Sequence, residues 1–226
     1  MIRDIMTNGF SLSTIVSLMA RVFVVFCVMP IHEYAHALVA TKLGDETARL
    51  SGRLTLNPLA HLDLLGSVMI FLVGFGYAKP VPVNPRNFKD PKVGMGITAA
   101  AGPISNIIMA IVFMLLRNGA AAAYASTGST VASVASMFFF YAAYVNVTLG
   151  VFNLVPVPPL DGSRILGLFL PSKHYFKLMQ YERYIMIAVL VLMFTGLLSA
   201  PISLISGGIM NGIDFITSLP FKFILK

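Results

Sequence analysis

The stretch His32-Glu33-Tyr34-Ala35-His36 places two imidazoles and a carboxylate at a spacing suited to metal-assisted hydrolysis. On an α-helix, residues four apart lie about 40° from each other around the axis, so both rings can reach one ion. Glu33 projects in a neighbouring direction and can act as general base on a water beside that ion. The motif sits inside an apolar run covering 12–43. Two histidines and a glutamate in such a run cost several kcal/mol unless they pair or bind a metal. The plainer alternative is a polar patch at a helix end.

Catalytic zinc takes three protein ligands and keeps one position open. Candidates for the third are few: nine acids, and two further histidines, His61 and His174. Asp161 stands apart because it closes the run Asn153-Leu154-Val155-Pro156-Val157-Pro158-Pro159-Leu160-Asp161-Gly162, directly after an apolar span. The prolines stop the helix and leave the carboxylate on irregular backbone at the membrane edge. An aspartate there equally suits the N-cap of a helix starting near Ser163, and that reading stays open.

These residues must be carried by membrane helices. Of the 226 residues, 57% are hydrophobic and only 11% charged, and the mean hydropathy is +0.84. Soluble domains carry roughly 25% charged residues, so this chain has too little polar surface to coat a water-soluble globule. Disordered, collagen-like and nucleic-acid-binding classes fall to the same numbers. The net charge of +7 comes from basic residues lying between long apolar runs, the pattern of loops that flank membrane spans. The sole cysteine, Cys27, lies in an apolar run and reads as a small packed hydrophobe. The N-terminus lacks a basic region and cleavage site, so the first run is expected to be a retained span.

The expected architecture is an all-α polytopic membrane protein, one domain over 1–226 with about four to six transmembrane helices. Runs of spanning length cover 12–43, 94–116, 131–153 and 184–205, while 64–78 is short for a span of roughly 20 residues. Pro30 permits a kink in the first run. The apolar tail after Gly207 is expected to lie along the interface. If 64–78 dips in and returns, one face collects eleven basic residues (in 42–63, 79–93 and 154–183) against four opposite. If it crosses, the split falls to nine against six. The positive-inside rule prefers the re-entrant form. The same form brings the exits of the 12–43 and 131–153 spans to one face, so that His36 and Asp161 can meet. The metal site then lies towards the cytoplasmic side.

The chain resembles the site-2 proteases, intramembrane zinc metalloproteases, in five motifs that occur in the family's order. These are His32 to His36; Gly52-Arg53-Leu54-Thr55-Leu56-Asn57-Pro58 followed by His61; Gly74 to Asn84; Gly102-Pro103-Ile104-Ser105-Asn106; and Asn153 to Gly162. Its nearest likeness is to the short subgroup without PDZ or CBS domains, from which Tyr77 departs where tryptophan is expected. The resemblance implies one zinc per chain on His32, His36 and Asp161, with Glu33 as catalytic base. It also implies that Asn153 holds substrate backbone or stabilises the oxyanion, and that an exposed strand edge beside the zinc holds unwound substrate.

Other polar residues have two readings each. Asn146 shares a stripe with Asn153, which suits either a site-facing surface or an interhelical hydrogen bond. Asn106, after Gly102-Pro103, is expected to satisfy a carbonyl freed by the proline. His61 suits a loop-fixing donor, a proton carrier or a spare ligand. The 64–78 segment and Lys79 to Asn84 favour an extended strand or β-hairpin near the site, or a plain connector.

The function expected from these residues and the resemblance is an intramembrane zinc endopeptidase. It would cut within or near transmembrane segments of single-span membrane proteins, in the plasma membrane. The alternative is a membrane-bound zinc metalloprotease acting on juxtamembrane or misfolded segments, which would draw its third ligand from Glu46 or Glu182. A metal carrier would repeat its ligands along a pore, and only one cluster is present. The bilayer is an expected partner, nucleic acid is not, and self-association is left open.

Overall fold

The computed structural model describes residues 11–61, 63, 79–222 and 224. Helix α1 (Leu12–Phe23) starts at Ser11, whose side chain accepts from the Thr14 amide. A π-helical turn at Val24–Val28 joins it to α2 (Met29–Lys42). Pro30 has no N–H to give the preceding turn, and the wider turn absorbs the mismatch. The result is one apolar stretch of 31 residues, Leu12–Lys42.

Short helices α3 (Thr47–Leu50) and α4 (Pro58–His61) follow. The re-entrant segment expected at 64–78 lies outside the described residues. Among the described residues there is no strand, and Lys79 to Asn84 runs as irregular chain.

Helix α5 (Pro91–Thr127) has 37 residues, about 55 Å at 1.5 Å per residue. Asp90 caps it by accepting from the amides of Lys92 and Val93, Pro91 fills the first position, and Gly128 ends it in the left-handed conformation. It runs well past the expected end at 116 because Arg117 and Asn118 are partnered. Arg117 Nη1 donates to Asn118 Oδ1 at 2.7 Å and to Asp214 Oδ1 at 3.3 Å, and Asn118 Nδ2 donates to Thr217 Oγ1 at 3.1 Å.

Helix α6 (Thr130–Asn153) returns along α5. Then come α7 (Asp161–Leu166), α8 (Ser172–Gln180), α9 (Glu182–Phe194) and α10 (Ser199–Ser218). The run expected to span at 184–205 is thus divided. Gly196, at φ +78°, breaks it between α9 and α10. Thirteen residues of α9 make only about 20 Å, short of the hydrocarbon thickness. The spanning length belongs instead to Ser199–Phe221. The tail expected at the interface is therefore largely a packed helix, set against α5 and α6.

Among the described residues four helices are long and apolar enough to cross a bilayer, and the chain is a multi-pass membrane protein. Its core joins Ala20, Val24 and Val28 to Ala110, Phe113 and Met114 of α5, Val147 and Val151 of α6, and Met210 and Ile213 of α10. The large apolar residues left outward, such as Ile104, Ile108, Leu204 and Phe215, suit a lipid-facing surface.

Candidate metal centre

Helix α2 presents His32 and His36 one turn apart, both buried, with their Nε2 atoms 3.1 Å apart. The third group arrives on α7. Asp161 Oδ2 lies 3.4 Å from His32 Nε2 and 3.3 Å from His36 Nε2. On a tetrahedral ion with bonds of about 2.0–2.1 Å, neighbouring ligand atoms stand about 3.3 Å apart. The three donors fit such an ion without rearrangement.

The tautomer of His36 follows from its other nitrogen. Nδ1 lies 2.7 Å from the carbonyl oxygen of Thr98, which can only accept. Nδ1 therefore carries the proton, and Nε2 turns its lone pair towards the cluster. Asp161 is not a helix cap: it opens α7, whose N-cap position is Leu160 with no side-chain cap bond.

Two glycines let the elements close on one another. A Cβ on Gly102 of α5 would fall 2.3 Å from His36 Nε2 and 2.5 Å from His32 Cε1. Only a bare α-carbon lets α5 lie against the two rings. A Cβ on Gly162 would fall 2.2 Å from the Leu154 carbonyl oxygen, so the proline-rich loop can fold back beneath Asp161 only with glycine there. Sequence reading noticed Gly102 as a small residue and missed its contact with the histidines, and it missed Thr98 altogether. The signal was partial: a Gly-Pro pair marks a close approach without saying which helix it meets.

Glu33 is buried on α2 between the two histidines in sequence, close enough for its charge to act on His36. Asn153 ends α6, half-buried, eight residues before Asp161. The other sequence candidates show no hydrogen bond to the cluster among the described residues. His61 is buried, with Nε2 2.7 Å from the Thr55 carbonyl oxygen, and so ties down its own loop. Asn146 is buried and donates to Ala142 O at 2.8 Å within its own helix. Asn106 is buried too, but neither atom of its amide has a partner among the described residues. The expected bond to a freed carbonyl is therefore not made. Glu46 pairs with Arg49, and Glu182 opens α9. Among the described residues, His32, His36 and Asp161 form the one group of three placed to hold a metal.

Comparison with known proteins converges on the same chemistry. The model of peptidase family M50 matches residues 118–197. The inferred zinc metalloprotease YwhC of Bacillus subtilis is 44% identical over 173 residues, 74% of this chain and 76% of the relative. The inferred zinc metalloprotease Rip2 of Mycolicibacterium smegmatis is 28% identical over 171 residues, 73% of this chain and 62% of the relative. Rip3 of Mycobacterium tuberculosis, inferred likewise, is 32% identical over 143 residues but only 29% of that longer protein is covered. No solved structure matches significantly.

Proposed function

The chain belongs to peptidase family M50, and from that premise we propose that it is a zinc endopeptidase cutting peptide bonds within or near transmembrane segments of other membrane proteins. The observation that carries this reading is a set of three donor atoms 3.1–3.4 Å apart, two on the buried imidazoles of a membrane helix and one on the half-buried carboxylate that opens α7, with Glu33 on the same helix as the histidines. His32, His36 and Asp161 would hold the zinc. Zinc, when bound, polarises the scissile carbonyl and brings the pKa of a water close to neutral.

The protein's own groups do the rest. Thr98 keeps His36 in the tautomer that offers Nε2. Glu33 takes the proton from the attacking water and passes it to the leaving amine. Asn153 is assigned to steady the negative oxygen that forms on the carbonyl. Substrate must leave its helix before it can be cut, and Lys79 to Asn84 offers replacement hydrogen bonds along one edge. The Lys79 amide donates to the His61 carbonyl at 2.8 Å, which holds the start of that segment against α4. The whole chain acts as one domain in the plasma membrane, with its site towards the basic, cytoplasmic face and single-span proteins as substrates.

The test uses the full chain in liposomes with a single-span substrate. Wild type is expected to hold about one zinc and to cleave. Glu33→Gln keeps the zinc and loses cleavage by a factor of about 100 or more. Asp161→Ala loses both. Full cleavage by Glu33→Gln overturns the base assignment, and zinc retained by Asp161→Ala overturns the ligand set.

A further inference from the structure

Asp45 follows the end of α2 and is completely buried. Its Oδ1 accepts from the Thr47 amide at 3.2 Å, the Thr47 hydroxyl at 2.5 Å and Asn87 Nδ2 at 2.7 Å. Its Oδ2 accepts from the Asn84 amide at 2.7 Å. The bonds to Thr47 close a local turn, as many aspartates do. Those to Asn84 and Asn87 reach 39 and 42 residues along the chain and serve no local turn. Donors meet both oxygens, which a carboxylate can satisfy and an amide cannot.

A second tie lies at the other end of the same stretch. Buried Arg53 donates from Nη2 to the Lys79 carbonyl, while its own amide donates to Ala48 O at 2.8 Å. Between the ties, Val81 is buried against Ala37 and Ala48, and Ala37 is the residue after His36. Lys79, Val81 and Asn84 each precede a proline, which biases them to extended backbone. Pro80 and Pro82 have no N–H, so the amides of Val81 and Val83, two residues apart, serve a single edge. Among the described residues those two amides have no backbone partner.

We propose that Asp45 is a positioning residue that fixes the register of the Lys79–Asn87 segment over the histidine helix, and thereby sets how tightly substrate is held. This rests on the peptidase reading, in which that edge holds the extended substrate. Asp45 touches neither the reacting bond nor the metal cluster. Its loss changes binding rather than the chemical step.

The experiment compares wild type, Asp45→Asn and the pair Asp45→Asn with Asn87→Asp, as full chains in liposomes with a single-span substrate. The single change sets an NH2 against a donor and is expected to raise KM roughly tenfold. It leaves kcat within about twofold and zinc content intact, and it speeds amide exchange over 79–88 but not 29–42. In the pair, the new amide donates to the carboxylate at 87 while its oxygen still accepts from the Asn84 amide, and the local Thr47 amide alone loses its acceptor, so KM returns part of the way towards wild type. An unchanged KM, a joint fall of kcat and zinc, or failure of the pair to recover overturns the proposal. Should wild type cleave no membrane substrate, the peptidase reading falls on its own. Exchange then decides the positioning: unchanged exchange in Asp45→Asn overturns it and faster exchange supports it.

Discussion

A few residues set both the donor geometry and its protonation. The two histidines were legible because helical periodicity alone puts positions 32 and 36 on one face, and Asp161 because prolines isolate it at the end of a span. Gly102 and Thr98 were not legible, since their parts depend on which helix α5 meets, and that is a fact of packing. Gly102 therefore gives a sharp test. In Gly102→Ala the new methyl carbon would lie 2.3 Å from His36 Nε2, inside contact distance of a group that cannot retreat while bonded to Thr98. Overpacking of this kind costs about 1–3 kcal/mol. Zinc affinity is expected to fall about ten- to hundredfold while the helices persist, read by competition with a chelator. Wild-type affinity in this variant would mean that α5 does not press on the rings.

At the scale of elements, what was misread was where helices end. Arg117 looked like the end of a span, yet its pairing with Asn118 and Asp214 carries α5 onward. The run at 184–205 looked continuous by hydropathy, though Gly196 and Pro201 were the stop and start signals within it. The loop between α2 and α5 gives a prediction that depends on pH. Burial opposes ionisation of Asp45, but Thr47, Asn84 and Asn87 donate to the carboxylate and hold its pKa below the ordinary value. A folded-state pKa below the unfolded one stabilises the fold above the unfolded value, about 3.9, and that contribution is lost as pH falls through the folded value. Amide protection over 79–88 is thus expected to hold from pH 7 to about 5 and to weaken below about 4. Asp45→Asn should show lower protection with little of this dependence. Protection that instead falls between pH 7 and 5 would assign it to some other group.

The whole molecule has to bring water and substrate to donors set within a membrane. Measured along α5, Thr98 and Gly102 lie about 10 and 16 Å from Pro91, whereas Arg117 lies about 39 Å away. The headgroup-to-headgroup thickness is about 40–45 Å. With Pro91 at one interface, Arg117 falls near the other, where its charge can reach polar surroundings. The metal cluster is then shallow on the side bearing Lys89, Lys92, Lys173 and Lys177. Charge counting from the sequence expects the metal site on this face. The proposed orientation, with this face towards the cytoplasm, rests on the positive-inside rule. Single cysteines in place of Lys89 or Lys177, in a Cys27→Ser background, are expected to react with an impermeant thiol reagent only in inverted vesicles. A cysteine in place of Thr127 should react only in intact cells. Labelling of Lys89 and Thr127 positions from the same side would leave α5 unable to cross, and with it the shared face of α2 and α7 would need another explanation. Labelling in the reverse sense would keep the fold and turn the site to the outer face, where substrates would have to present their cleavage sites from outside the cell.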